Sequence, residues 1–262
     1  MEEKREKLLI GLVGIAFFLL CVLVWVRPEK EYSVSERRLL KQMPELSAES
    51  IISGRFMSSF EEYSLDQFPC RDWLRSLKAL TLLKADNNGL YVVDEEINGE
   101  ESKVLCSMDY PLDVDSLQYA GKRFRNVYDM YLKENHCQVY LSIVPDKNYF
   151  YAKNNGYLAM DYEKMVDIML ERADYMSYID IFPHLSGEDY YRTDIHWKQE
   201  NIEDVAEHLL RELGQDVSYQ YKTVEADGDF YGVYYGQAAL PVEPDSMKYL
   251  TNDVIGQFKV FD

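Results

Sequence analysis

An uninterrupted apolar run governs what this chain can become: residues 8 to 26 read LLIGLVGIAFFLLCVLVWV, without a charged side chain. As a helix this run rises about 28 Å, roughly one hydrocarbon core. It is apolar on every face, whereas a helix that covers a soluble core keeps a polar side. Lys4, Arg5 and Lys7 precede it, and Arg27 and Lys30 follow. Acidic neighbours count little in orientation, so three basic residues against two favour an inside N-terminus. Trp25 stands where an interfacial aromatic would. The competing reading is a cleaved signal peptide, which normally has a shorter apolar core and a small-residue cleavage site. Val24-Trp25-Val26-Arg27 offers no such site. The sequence therefore reads as a single-pass cell-membrane protein. Residues 1–27 are its cytoplasmic tip and transmembrane anchor, and the folded body is extracytoplasmic.

The 262 residues leave enough chain beyond the anchor for one sizeable domain or two small ones. The formal net charge is −18, and the whole of the acidic excess lies beyond residue 27. Phosphate binding needs a basic face, so this balance argues against nucleic acid as a partner. The 22 tyrosines suit stacking on sugar rings, but tyrosine is equally a core and interface residue. Cys21 lies within the anchor, and Cys70, Cys106 and Cys137 leave an odd number outside it. A Cys106–Cys137 bridge is conceivable; small buried hydrophobes are the plainer reading. His136, His184, His196 and His208 have no metal-ligand spacing, so neither a metal nor another cofactor is called for.

Residues 28–50 are charged, broken by Pro28 and Pro44, and read as a stalk; residues 51–262 read as the extracytoplasmic domain. Phe56, Phe60 and Tyr63, then Trp73, Leu74, Leu77 and Leu80, recur at three- and four-residue steps, with Phe68-Pro69 between two helices. Asn87-Asn88-Gly89 reads as a turn and Leu90–Val93 as a short strand, while residues 94–113 show no clear period. A helix with Leu117, Ala120, Phe124, Val127, Tyr128 and Tyr131 on one face precedes a strand at Val139–Val144. A second helix around Tyr162–Met169, a strand through Tyr178–Phe182 and a third helix over Ile202–Leu213 follow, the last stopped by Gly214. This alternation is the rhythm of an α/β fold with a parallel sheet, where ligands gather beyond the carboxyl ends of the strands.

The densest polar and aromatic cluster is Tyr190-Tyr191-Arg192-Thr193-Asp194-Ile195-His196-Trp197. An aspartate two residues before a histidine can orient the imidazole and stabilise its protonated form. The other ring nitrogen is then able to take a proton from a hydroxyl nucleophile. The same spacing also serves as an ordinary loop hydrogen bond or helix cap.

Tyr190 to Trp197 resembles the motif that names the DHHW family of bacterial surface proteins, with Ile195 in place of the first motif histidine. Further blocks follow in that family's order. They are Ser35–Leu39 and Pro44; Ser53–Phe56 with Phe60–Tyr63; Asp66–Pro69 with Arg71-Asp72; and Asn88–Tyr91. Then come Val144–Lys147, Asp161–Lys164, Asp229–Gly232 and Pro244-Asp245. The DHHW proteins are similar to the SGNH hydrolase-like domains of alginate O-acetylation proteins. The resemblance implies a permuted, SGNH/flavodoxin-like parallel sheet behind the anchor. It also implies catalytic roles for Asp194, as orienter, and His196, as base and then acid.

Two departures stand out. Lys198 and Asn201 occupy positions where the family has Thr and Gly. The family's nucleophilic serine lies in an Asp-Ser-Tyr or Asp-Ser-Phe element well downstream of Phe-Tyr-Gly, and this chain ends at Asp262 without one. Ser218 and Ser246 are the serines downstream of His196, and neither sits in that element. The resemblance thus leads to the expectation of a C-terminally truncated sheet, with Lys259–Asp262 a strand cut short, and of a chain inactive by itself. For the whole protein it implies acyl transfer, with a cell-envelope polysaccharide as acceptor and an acetyl donor or donor protein as second partner. A carbohydrate esterase would use the same groups, and a non-catalytic surface protein that binds glycan or a partner is the alternative from another class.

Overall fold

The apolar run lies within one continuous helix, α1 (Glu2–Val26), in the computed structural model, which describes residues 2–84, 89–97, 99–240 and 242–259. Among the described residues, Arg5–Leu23 is the one stretch long and apolar enough to cross a membrane, and none of it is buried against protein. Its length and composition suit a membrane span or a signal sequence. The side chain of Trp25, and residues 87–88 of the Asn-Asn-Gly turn, lie outside the described residues.

The chain forms two units, residues 1–82 with 236–241 and residues 83–235 with 242–262. In the first, β1 (Tyr32–Ser33) and β2 (Arg38–Leu39) pair antiparallel, followed by α2 (Ala48–Ile52), α3 (Arg55–Asp66) and α4 (Arg71–Lys84). Ser47 caps α2 through a reciprocal bond with Ser50. Phe68-Pro69 separates α3 from α4, because proline has no amide hydrogen to continue the first helix. Phe56, Phe60 and Tyr63 line one side of α3, ring to ring at 5.8 and 6.0 Å.

A network of ion pairs joins the elements of this unit. The Arg38 guanidinium grips both oxygens of Asp66 at 2.8 and 2.5 Å and reaches Glu36 at 2.6 Å. Arg71 and Arg75 close on the same Glu36 at 2.5 and 2.8 Å. Gln67 bonds both backbone groups of Lys30, so the stretch read as a stalk begins with a segment fastened to the end of α3.

The second unit opens with a long antiparallel hairpin, β3 (Leu90–Ile97) and β4 (Glu100–Ser107). Tyr91, Val93, Val104 and Cys106 face inward from it onto Tyr151 and Ala152. Then come α5 (Val114–Val127), continued by one π-helical turn over Tyr128–Leu132, and β5 (Tyr140–Leu141). They are followed by α6 (Lys147–Tyr151), α7 (Tyr162–Arg172) and β6 (Ser177–Tyr178). The parallel element of this α/β fold is the β5–β6 pair, smaller than the helix–strand rhythm implies. Ile181 leaves the extended conformation for a 3-10 turn over Phe182–His184. Gly121 on α5 is buried because α7 crosses there: an added methyl would meet Arg172 Cβ at 2.6 Å.

α8 (Glu203–Glu212) places Val205 and Leu209 against Ile179 and Ile181, forming a second core. Gly214 ends that stretch at φ 78°, as its stop signal requires. The unit closes with β7 (Lys222–Phe230), α9 (Val233–Ala238) and β8 (Asp245–Thr251). β7 and β8 pair antiparallel across a register shift between Glu225 and Asp229. Of Lys259–Asp262, read as a strand, only Lys259 is described, and it is not in a strand. The cysteines of this unit, Cys106 and Cys137, are unbridged; Cys106 is buried and Cys137 exposed.

Candidate active site

The Tyr190–Trp197 segment is a tight loop whose ends meet in a single antiparallel bridge. Tyr191 N–H donates to the His196 carbonyl across it, and Lys198 N–H reaches Asp189. Trp197 anchors one end by packing on the core formed by Ile179, Ile181, Leu185 and Val205. Tyr190 anchors the other, being buried, with its hydroxyl donating to the carbonyl of Pro145, the residue before Asp146 and α6. The loop is thereby held to the segment that leaves the carboxyl end of β5.

Asp194 is fully buried and His196 lies at the surface, its side chain 70% exposed. Asp194 Oδ1 accepts from the His196 amide at 2.9 Å and lies 2.5 Å from His196 Nδ1. Its Oδ2 accepts the Val233 N–H at 2.7 Å, at the start of α9. Burial alone would raise the acid's pKa, but the amides of His196 and Val233 and the imidazole outweigh it and hold the carboxyl below its usual range. An ionised carboxylate only accepts, so Nδ1 is the donor in this pair, and in the neutral form of the ring the lone pair is then on Nε2. Among the described residues nothing hydrogen-bonds Nε2. This is the arrangement of an oriented general base, open on the side where a hydroxyl would approach.

The two residues before Asp194 are held by a second buried carboxylate. Asp245, the first residue of β8, accepts from Arg192 N at 2.9 Å, Thr193 N at 2.9 Å and Thr193 Oγ1 at 2.6 Å. Arg192 Nε approaches the same group at 3.3 Å, while its Nη2 donates to the Pro244 carbonyl at 2.6 Å and its Nη1 to Ser102 Oγ at 3.3 Å. Thr193 Oγ1 in turn accepts the Gly232 N–H at 2.9 Å. A side chain at 232 would overlap the Thr193 carbonyl, so glycine is required there by close approach. The Phe-Tyr-Gly and Pro-Asp blocks thus converge on the loop that bears the aspartate and histidine.

Lys147 stands behind the loop. It is 1% exposed, and its ammonium donates to the carbonyls of Tyr191 at 2.9 Å and Arg192 at 3.1 Å. Burial pushes its pKa down to about 8, against the opposing pull of Cys106, Asp245 and Asp194. Motif reading singles out Asp194 and His196 but gives Asp245, Gly232, Val233 and Lys147 no role. Three of these four stand in the blocks quoted for the resemblance, and Val233 directly follows one, which was the available signal. Arg192 and Trp197, also without a role in the sequence, prove to be the loop's tie to β8 and its plug in the core.

The serines are placed elsewhere. Ser142 donates to the Ile179 carbonyl at 3.0 Å between the parallel strands. Ser246 is exposed opposite Asp229 in the β7–β8 hairpin, and Ser218 is exposed before β7. Among the described residues no serine hydroxyl is hydrogen-bonded to His196.

No family model and no curated protein matches this chain. It is similar to the crystal structure of a DHHW family protein from Eubacterium siraeum, with 20% identity over 62% of this chain and a TM-score of 0.48. Bacillus cereus PatB1 is similar at 13% identity over 63% of this chain, with a TM-score of 0.46. The same protein with a sulfonyl adduct gives 12% identity over 64% and a TM-score of 0.47. The matched region spans 54%, 59% and 58% of those three chains respectively.

Proposed function

We propose that this chain belongs to a membrane-anchored acyl-transfer protein of the SGNH type, acting outside the cytoplasm on a cell-envelope polysaccharide. In this reading α1 is the uncleaved anchor and residues 28 onward face away from the cytoplasm. A serine hydroxyl, which the described residues do not place beside His196, takes up the acetyl group. His196 Nε2 accepts the hydroxyl proton as the serine oxygen attacks the acetyl carbonyl, then returns it to the leaving group. Asp194 fixes the tautomer and stabilises the imidazolium between those steps. The observation that carries the reading is a buried carboxylate bonded to Nδ1 of a histidine whose Nε2 side is open to solvent. The buried carboxylate also holds the loop backbone, but the imidazole it orients is 70% exposed and adds little to a core.

The test is made in the cell that produces the protein. Alkali-releasable acetate on the envelope polysaccharide is compared between the intact strain, a deletion strain, and one whose chromosomal copy carries His196→Ala. The reading requires both altered strains to lose acetate to the same extent. More acetate in both would identify the reverse reaction, an esterase. Loss in the deletion alone would show a non-catalytic binding role, and no change in either would overturn the reading.

A further inference from the structure

A buried ammonium is costly unless its surroundings replace water, so Lys147 demands an explanation that the proton chemistry of Asp194 and His196 does not itself supply. Lys147 is the first residue of α6, directly after its N-cap Asp146, and only 1% of it is exposed. Its donors are spoken for. Two go to the Tyr191 and Arg192 carbonyls, and the Tyr234 ring lies 4.9 Å away, within reach of a cation–π contact. Tyr234 N–H donates to the Thr193 carbonyl, and the neighbouring Val233 N–H donates to Asp194. One ammonium therefore braces both backbones that hold the aspartate.

The charges close around it in the same way. Asp194 is fully buried and Asp245 is 4% exposed, two carboxylates with no bulk water to solvate them. Arg192, half-buried, pairs with Asp245. Lys147 adds a buried cation beside these carboxylates, and both attract it electrostatically. We propose that Lys147 is a positioning residue. Its buried positive charge, held at the back of the 190–197 loop, keeps the Asp194–His196 pair in its geometry and sets the base strength of His196. The proposal rests on the reading of Asp194 as orienter and His196 as base. Groups that face Lys147 from other elements are Cys106 on β4, Asp245 on β8, Tyr234 on α9, and Asp194 and Lys198 on the loop. Both carboxylates are hydrogen-bonded and buried.

The experiment reads titration rather than turnover, which separates it from the acetate assay: either can fail while the other stands. The full chain, labelled with carbon-13 and nitrogen-15 histidine, is placed in detergent micelles. The His196 ring signals are followed against pH and assigned by their loss in His196→Gln. Lys147→Met removes the charge and keeps most of the bulk. It should raise the His196 midpoint by about one pH unit, because the buried positive charge behind the 190–197 loop is lost. Lys147→Arg, which keeps the charge, should move the midpoint by less than half as much. A Lys147→Met midpoint within about 0.2 unit of the parent, or equal shifts in both variants, would overturn the proposal. Should Lys147→Met fail to fold, the unsubstituted chain suffices. The His196 signals should then show a second inflection where the Lys147 side chain itself titrates, and its absence would refute the coupling.

Discussion

Replacing Asp245 by alanine removes four hydrogen bonds from the back of the candidate site at once. Arg192 N, Thr193 N and Thr193 Oγ1 lose an acceptor at 2.9, 2.9 and 2.6 Å, and the Arg192 guanidinium loses its carboxylate at 3.3 Å. Thr193 is fully buried, so its amide has no ready route to water. An orphaned buried donor costs about 1–3 kcal/mol. Arg192 keeps its bonds to Pro244 and Ser102, so its charge is only partly stranded. The expected loss is about 3–5 kcal/mol, the range for removing one partner of a buried ion pair. Trp197 reports it well, since it packs in the core of the same unit. With Trp25 and Trp73 changed to Phe, urea unfolding followed by fluorescence reads Trp197 alone, and the midpoint in Asp245→Ala should fall in proportion. Ser246→Ala, at the exposed neighbour, is the control and should cost less than about 0.5 kcal/mol. A midpoint within that margin for Asp245→Ala would refute the account of the loop as clamped by this carboxylate.

Gly232→Ala should destabilise the same unit by about 2–4 kcal/mol, as expected of overpacking compounded by displaced backbone hydrogen bonds; the same fluorescence transition measures it. In the first unit, the Arg38 guanidinium holds Asp66 down at about 2, so the pair's stabilisation is complete above the ordinary aspartate value and disappears as pH falls through about 2. After allowance for solvent screening this amounts to about 1–2 kcal/mol, and Asp66→Asn should flatten the acid limb of a Trp73-monitored stability curve below pH 4. Protease added to intact cells should digest residues 28 onward and leave a short N-terminal fragment; a fully protected body would end the outward orientation.

Much of the helical frame was legible, because its signals are local. The break at Pro69, the apolar spacing of α3 and α4 and the Gly214 stop each act within a turn or two of chain. The hairpin β3–β4 was legible only as far as Val93. Its outer half, Asp94-Glu95-Glu96 against Glu101-Ser102-Lys103, lacks the alternation that marks a half-buried strand. Those residues are held by the ladder and by cross-strand pairing such as Lys103 to Asp94 at 2.6 Å. The apolar run Val139–Val144 pointed to a full strand, but only Tyr140 and Leu141 are paired as ladder residues, and Ile181 turns away from the neighbouring segment. At the site, Asp194 and His196 were readable from a two-residue spacing that physically permits their bond. Asp245 and Lys147 were not, because their partners lie 52 and 44 residues away and no local rule ties a lysine after Pro-Asp to a distant carbonyl.

Those separations also set a clock. The Val233 amide that secures Asp194 lies 39 residues further along the chain, and the Asp245 carboxylate that secures Thr193 lies 52 residues beyond it. At roughly 5–20 residues per second of synthesis, the aspartate and histidine leave the ribosome several seconds before the groups that hold them in place. During that interval the loop has its tryptophan plug but no rear clamp, and the nascent chain carries the motif without its geometry. The rear clamp of the loop closes only when the Pro244-Asp245 segment docks. Full bracing of the pair is thereby delayed until this part of the chain has been made.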